Sequence, residues 1–468
     1  MATALARISL AALVAFACLG GSAQAASWTT YGFDLERTGF NPKEHFLGTV
    51  NAGRLREVWS AKLGGVSNTQ PIVVEKVELD DGRTLDLVLA GSESGRLIAF
   101  DAATGARVWG RRLGSRVTVC KSTFPEGRFG VTATPTVDRK RKTVYVVDGK
   151  AQAYALDLRT GKTKKGWPAT VTKRSRQEHV WGALAFSRGV LYAGTASHCD
   201  EVTFHGRVVG IDRRGEKVAE WFPAGTKRGR GGGVWGWGGV AIDRRDGNLY
   251  TATGNGQVVS ETVGYSERIV RLSPSLRVVS SHLPNVPKHA DNDFGAAAIL
   301  YRAKGCPRQA AVVHKSGYLL LYDRKSIKQG PRQTLALANP DESASLGTYA
   351  YSPKTRMLYV ATRSASPDGR YRGGIVALAV GADCRLRLAW QQSPSPTPEL
   401  PSTPAVANGV VYLASGREVF GYDAASGRPL WRSGTAMAGV VYAAPTVVNG
   451  RVFAVSWDRK LHAFAPAP

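Results

Sequence analysis

Several absences narrow this sequence before anything else. No mature stretch approaches the roughly 20 apolar residues of a membrane-spanning helix. No CxxC or CxxCH occurs, which removes the zinc knuckle and the covalently attached c-type haem. No heptad or long 3.6-residue apolar period is present, so helical architectures have nothing to stand on. Acidic residues are scarce, 36 against 62 basic ones, and no nucleic-acid module accompanies that excess. Nucleic acid is therefore not an expected partner.

The first residues read as an export signal. Arg7 precedes an apolar run over 8–19, and Ala23-Gln24-Ala25 offers the small-x-small pattern that signal peptidase cuts. A leader over 1–25 and one domain over 26–468 are expected, in a soluble protein of the periplasm or the extracellular space. Cys18 raises a lipid-modified N-terminus as an alternative, but Phe16 stands where a small residue is required. Removing Arg7 takes the formal charge from +26 to +25. The basic clusters Arg139-Lys140-Arg141-Lys142, Lys162-Thr163-Lys164-Lys165 and Lys227-Arg228-Gly229-Arg230 each lie between strand patterns. They read as solvated turns, with attraction to anionic cell-envelope polymers as the alternative. Beyond the leader stand Cys120, Cys199, Cys306 and Cys384, an even set in a compartment that permits disulfides. Three connectivities are possible; placement in neighbouring repeats favours 120–199 and 306–384.

A repeat organises the remainder. An apolar strand ends in Asp-x-x-Thr/Ser-Gly ahead of a Trp: Asp101-Ala102-Ala103-Thr104-Gly105 with Trp109, Asp157-Leu158-Arg159-Thr160-Gly161 with Trp167, and Asp423-Ala424-Ala425-Ser426-Gly427 with Trp431. Asp caps the turn, Gly supplies its positive φ, and Trp packs between sheets. Units begin near Pro71, Pro135, Gly182, Gly238, Gly295, Tyr349, Pro404 and Pro445. The last, ending at Leu461-His462-Ala463-Phe464, lacks its final strand, while Arg56-Glu57-Val58-Trp59-Ser60 is an orphan strand before the first complete unit. The two should complete one blade of an all-β, eight-bladed β-propeller with four-stranded antiparallel blades. Ser393-Pro394-Ser395-Pro396-Thr397-Pro398 reads as a stiff connector.

The Asp-Ala-Ala-Thr-Gly-x-x-x-Trp pattern, with Ser27-Trp28 and Tyr31-Gly32 at the front, resembles the pyrroloquinoline-quinone (PQQ) propeller repeat over nearly the whole mature chain. That repeat occurs in quinoprotein alcohol dehydrogenases and in non-catalytic envelope assembly proteins. Four segments resemble the dehydrogenase branch. Glu201-Val202-Thr203-Phe204-His205-Gly206 is a partial match to the segment supplying a calcium-binding Glu. Trp237-Gly238-Gly239 followed by Thr253-Gly254-Asn255-Gly256 matches the Trp floor under the quinone and the Asn ligand of the metal. His289-Ala290-Asp291-Asn292-Asp293-Phe294 matches the segment whose last Asp is the base, and Lys315-Ser316-Gly317 the segment whose Lys contacts the quinone carbonyls.

The resemblance thus implies PQQ with Ca²⁺ or a lanthanide as cofactors. Asp293 and Lys315 would be catalytic; Trp237, Lys315 and, in looser register, Arg128 would hold the quinone; Glu201, Asn255 and Asp293 would bind the metal. Such chemistry needs oxygen ligands around a hard cation, a carboxylate base and a cation beside the quinone oxygens. Asp291 is the alternative base if Asp293 is an extra lanthanide ligand. The family's adjacent Cys pair is reduced here to Cys120, and with no haem domain electrons would pass to a separate acceptor. The expected substrate is an alcohol or a sugar-type hydroxyl. The competing expectation is a non-catalytic propeller offering its rim to protein or cell-envelope partners.

Overall fold

The computed structural model describes residues 27–118, 120, 124–197, 203–225, 229–256, 263–287, 293–340, 349–394 and 400–467. Their strands form eight antiparallel blades of four strands each. Blade 1 is Ile72–Glu78, Thr84–Ser92, Arg96–Asp101 and Arg107–Arg112. Blades 2 to 7 follow in chain order, from Thr136–Asp138 of blade 2 to Pro429–Arg432 of blade 7. Blade 8 takes Thr446–Val448, Arg451–Ser456 and Lys460–Pro466 from the end of the chain and Leu55–Lys62 from its beginning. The expected closure is borne out: Trp59 pairs with Ala463 and Ser60 with His462. Across this seam the His462 imidazole lies 2.7 Å from Glu57, and on its own side it lies 3.0 Å from Asp458.

The repeat motif does local and long-range work together. The Asp101 carboxylate accepts from Ala103 N and Thr104 Oγ1, and Gly105 turns the chain at φ +74°. A Cβ on Gly105 would stand 2.7 Å from the indole of Trp59 in the preceding blade. Trp109 and Trp390 press likewise on Gly161 and Gly427 of the blades that follow them. Their indole N–H groups donate to Leu158 O at 2.9 Å and Ala424 O at 3.1 Å. Glycine is thus required both for the turn and for the indole lying on it. These turns share one face of the disc with the connections from each blade's first to its second strand. The remaining connections form the other face.

One feature escaped the sequence reading. Each blade's innermost strand turns an edge to the axis, and residues 28–41 run round that axis bonding to every blade in turn. Trp28 exchanges two backbone bonds with Val73, and Thr29 O accepts from Val137 N. Thr30 Oγ1 donates to Leu184 O. Leu35, Glu36, Thr38 and Gly39 carbonyls accept from Ile242, Leu300, Tyr351 and Val406 N–H groups, and Asn41 Nδ2 donates to Val447 O. Phe40–Asn41 even adds a parallel strand to Ala405–Ala407 of blade 7. At the centre lies Arg37, 4% exposed, donating to Val240 O, Thr30 Oγ1, Tyr31 O and Leu184 O.

The Cys306–Cys384 disulfide joins blades 5 and 6 as expected, with Cα atoms 5.6 Å apart. Of the other expected pair, Cys120 is buried and Cys199 lies outside the described residues. So do residues 395–399 of the Pro-rich connector. The described parts of the basic clusters sit in exposed turns, as at Arg139–Arg141.

Arg37→Ala removes four hydrogen bonds at the axis, leaving Leu184 O only the one from Thr30 Oγ1. At ~1–3 kcal/mol for each buried group left unsatisfied, a loss of about 3 kcal/mol or more is expected. Urea denaturation followed by tryptophan fluorescence measures it; an unchanged midpoint would refute the load assigned to this segment.

Candidate functional site

The loops opposite the Asp-Thr-Gly turns hold the candidate residues. Asp293 leads into the first strand of blade 5, Lys315 lies in the hairpin joining that blade's second and third strands, and Asn255 follows the second strand of blade 4. The structure brings these three together. Asp293 is 3% exposed, and its Oδ1 lies 2.8 Å from Lys315 Nζ. Its Oδ2 accepts from the Asn255 backbone N–H at 3.2 Å, and its own carbonyl accepts from Lys315 N at 3.0 Å. Gly254 permits the approach, because a Cβ there would stand 3.0 Å from Oδ2. A carboxylate buried to this degree keeps its charge only with such partners.

Indoles and other rings wall the site. Lys315 Nζ sits over the Trp235 ring, 4.6 Å from its centre, a cation–π contact. Trp237 is buried and packs against Trp181, with centroids 5.9 Å apart. Trp181 stacks on His179, and His179 on Phe129 at 4.1 Å. Beneath lies Tyr31 of the axial segment, in the same apolar cluster as Trp237, its hydroxyl donating to Thr403 Oγ1 at 2.6 Å.

Other expected residues stand differently. Arg128 is exposed and donates to Ser115 Oγ at 3.0 Å; no described contact joins it to Asp293. Glu201, His289 and Asp291 lie outside the described residues. Among the described residues no group of three His, Cys, Asp or Glu side chains is placed to hold a metal by itself.

Sequence reasoning missed Trp181, Trp235 and His179, whose only signal was the clustering of Trp in 181–237. It also missed Glu93, which carried none. Glu93 is fully buried in the blade 1 hairpin on this face. It accepts from Asn68 Nδ2, Gly130 N and Thr132 Oγ1, yet burial outweighs these donors and pushes its pKa up to about 7.

The sequence family described as "Outer membrane protein assembly factor BamB" matches residues 48–275 and 381–467. The chain belongs to that BamB family of PQQ-type propellers. A quinohemoprotein alcohol dehydrogenase of Comamonas testosteroni is 27% identical over 267 residues, covering 52% of this BamB-family chain and 31% of the enzyme. The match therefore spans about a third of that relative's length. Among solved structures, a europium-containing methanol dehydrogenase superposes with a TM-score of 0.72 at 16% identity, over 94% of this chain and 98% of that one. BamB from Moraxella catarrhalis gives 0.56 at 16% identity, over 88% and 97%. At such identities the superpositions show the fold, and the BamB-family chain shares it with both enzymes and assembly factors.

Glu93 yields a pH prediction. Its folded pKa near 7 exceeds the ordinary 4.5, so its contribution to stability is complete below about 4.5 and is lost as pH rises through 7. Urea midpoints should fall between pH 5 and 8, and Glu93→Gln should lessen that fall. An identical pH profile in the variant would contradict the assignment.

Proposed function

We propose that this chain is an exported quinoprotein that oxidises an alcohol or a sugar-type hydroxyl, with Asp293 as the base. The observation that carries the reading is the buried Asp293–Lys315 pair beside Asn255, reached through three separate loops and walled by indoles. Export rests on the leader read over 1–25.

The residues fit PQQ in kind. Trp235 and Trp237 offer flat apolar surface to a planar ring, and Lys315 offers a cation to anionic oxygens. Asn255 and Asp293 supply oxygen ligands suited to Ca²⁺ or a lanthanide, with Glu201 as the third; with so few protein donors, the cation in this reading is held jointly with the quinone. When bound, the quinone supplies the two-electron acceptor that takes hydride from the carbinol carbon. The chain's own part is proton handling and placement. Lys315 pairs with the buried Asp293 carboxylate, and that carboxylate takes the hydroxyl proton as the carbonyl forms. The same ammonium would face the oxygens of a bound quinone and would favour negative charge there.

A second reading is favoured by the family description: a propeller that presents its rim to protein or cell-envelope partners and does no chemistry. The two family-matched segments, however, leave out 276–380, which contains both Asp293 and Lys315. Two of the four dehydrogenase-like segments lie in that interval, and the other two, around Glu201 and over 237–256, lie within 48–275.

Asp293→Asn keeps the shape and removes the base. Quinone- and Ca²⁺-dependent oxidation of an alcohol panel should fall by ~10²-fold or more, with the Kd for the quinone changed little. Full activity in the variant would sink the role given to Asp293, and a wild type inactive toward every hydroxyl substrate would favour the scaffold.

A further inference from the structure

On the face opposite this site, a pocket of about 690 Å³ opens between blades 4 and 5. Its origin is the repeat itself. In blades 1, 6, 7 and 8, Trp109, Trp390, Trp431 and Trp59 pair on the outer strand with Ala99, Ala377, Gly421 and Ala463. In blade 4 the equivalent pair is Ser280 with Arg271, as blades 3 and 5 have Ala219 and Gln333 there. Without its indole, the slot between Tyr250 and Arg271 of blade 4 and the 323–326 turn of blade 5 stays open, and both sets of residues line the pocket.

Its lining is cationic. Arg245, Arg271, Arg302, Arg308, Arg324 and Lys325 face it against Asp243, Asp246 and Asp323. Arg324 and Arg308 are committed to Asp243, and Arg271 to Asp246. Arg245, Arg302 and Lys325 make no ion pair with any carboxylate among the described residues. The Nε atoms of Arg271 and Arg308 are buried without a hydrogen-bond partner among those residues. A buried guanidinium N–H left unmet is costly, and an entering oxyanion would meet it.

We propose that this vacated inter-blade slot binds a phosphoryl group. Guanidinium forks suit tetrahedral oxyanions, which they grip through paired hydrogen bonds, and the volume falls in the range of small-molecule sites. The phosphoryl group belongs either to a soluble phosphomonoester or to an anionic lipid headgroup, and the proposal is independent of the quinone reading.

The test titrates inorganic phosphate and glycerol 3-phosphate into the full chain at low salt by calorimetry. Alongside, the protein is co-sedimented with phosphatidylglycerol vesicles. The variant Arg302→Ala/Lys325→Ala removes two exposed loop cations; Lys140→Ala/Arg141→Ala removes the same charge from a turn of blade 2 on the same face. The slot variant should weaken phosphate binding about 10-fold and the control less than about 2-fold. Sedimentation lost only in the slot variant identifies the headgroup as the source, whereas soluble binding without sedimentation identifies the free phosphomonoester. Absence of binding in every arm, or equal weakening by both variants, overturns the proposal.

Discussion

The constraint on which this structure rests lies at its axis. Closing eight sheets into a ring points eight inner strand edges inward, and backbone N–H and C=O groups buried there must be satisfied. The 28–41 segment answers this by giving successive carbonyls and side chains to successive blades. Arg37 then takes up Val240 O and shares Leu184 O with Thr30 Oγ1. Since the following residues, Leu55–Lys62, close blade 8, one stretch of chain both fills the hub and fastens the ring.

The candidate site inherits its rigidity from that hub. Tyr31 belongs to the axial segment and also to the cluster holding Trp237 and Trp181, so the floor of the site and the core of the ring are one packed unit. Asp293, Asn255 and Lys315 come from loops of adjoining blades, and only fixed blade positions let Asp293 accept from Asn255 while it pairs with Lys315. The two faces divide the labour. One carries the Asp-Thr-Gly turns and docked indoles that hold blades together, and the other carries the Asp293–Lys315 pair and Glu93.

What the sequence made legible was local chemistry repeated. Asp101, Thr104, Gly105 and Trp109 recur because each turn needs the same cap, positive φ and indole contact, so the blades could be counted. The orphan strand around Trp59 followed from that count. The Asp293–Lys315–Asn255 convergence was legible through resemblance, because ungapped segments preserve the offsets. The hub was not legible: residues 28–41 touch a different blade at nearly every step and show no period. Trp235, His179 and Glu93 meet their partners across loops distant in sequence. Arg128, matched only in looser register, is exposed and bonds to Ser115.

The central claim is that the loops around Asp293 and Lys315 form a quinone site. Titrating PQQ into the purified chain with Ca²⁺ present, and following the quenching of tryptophan fluorescence, tests it most directly. The account predicts saturation at one quinone per chain, with Lys315→Ala weakening it by ~10-fold or more. Quenching that never saturates, or that is unaltered in Lys315→Ala, would contradict it.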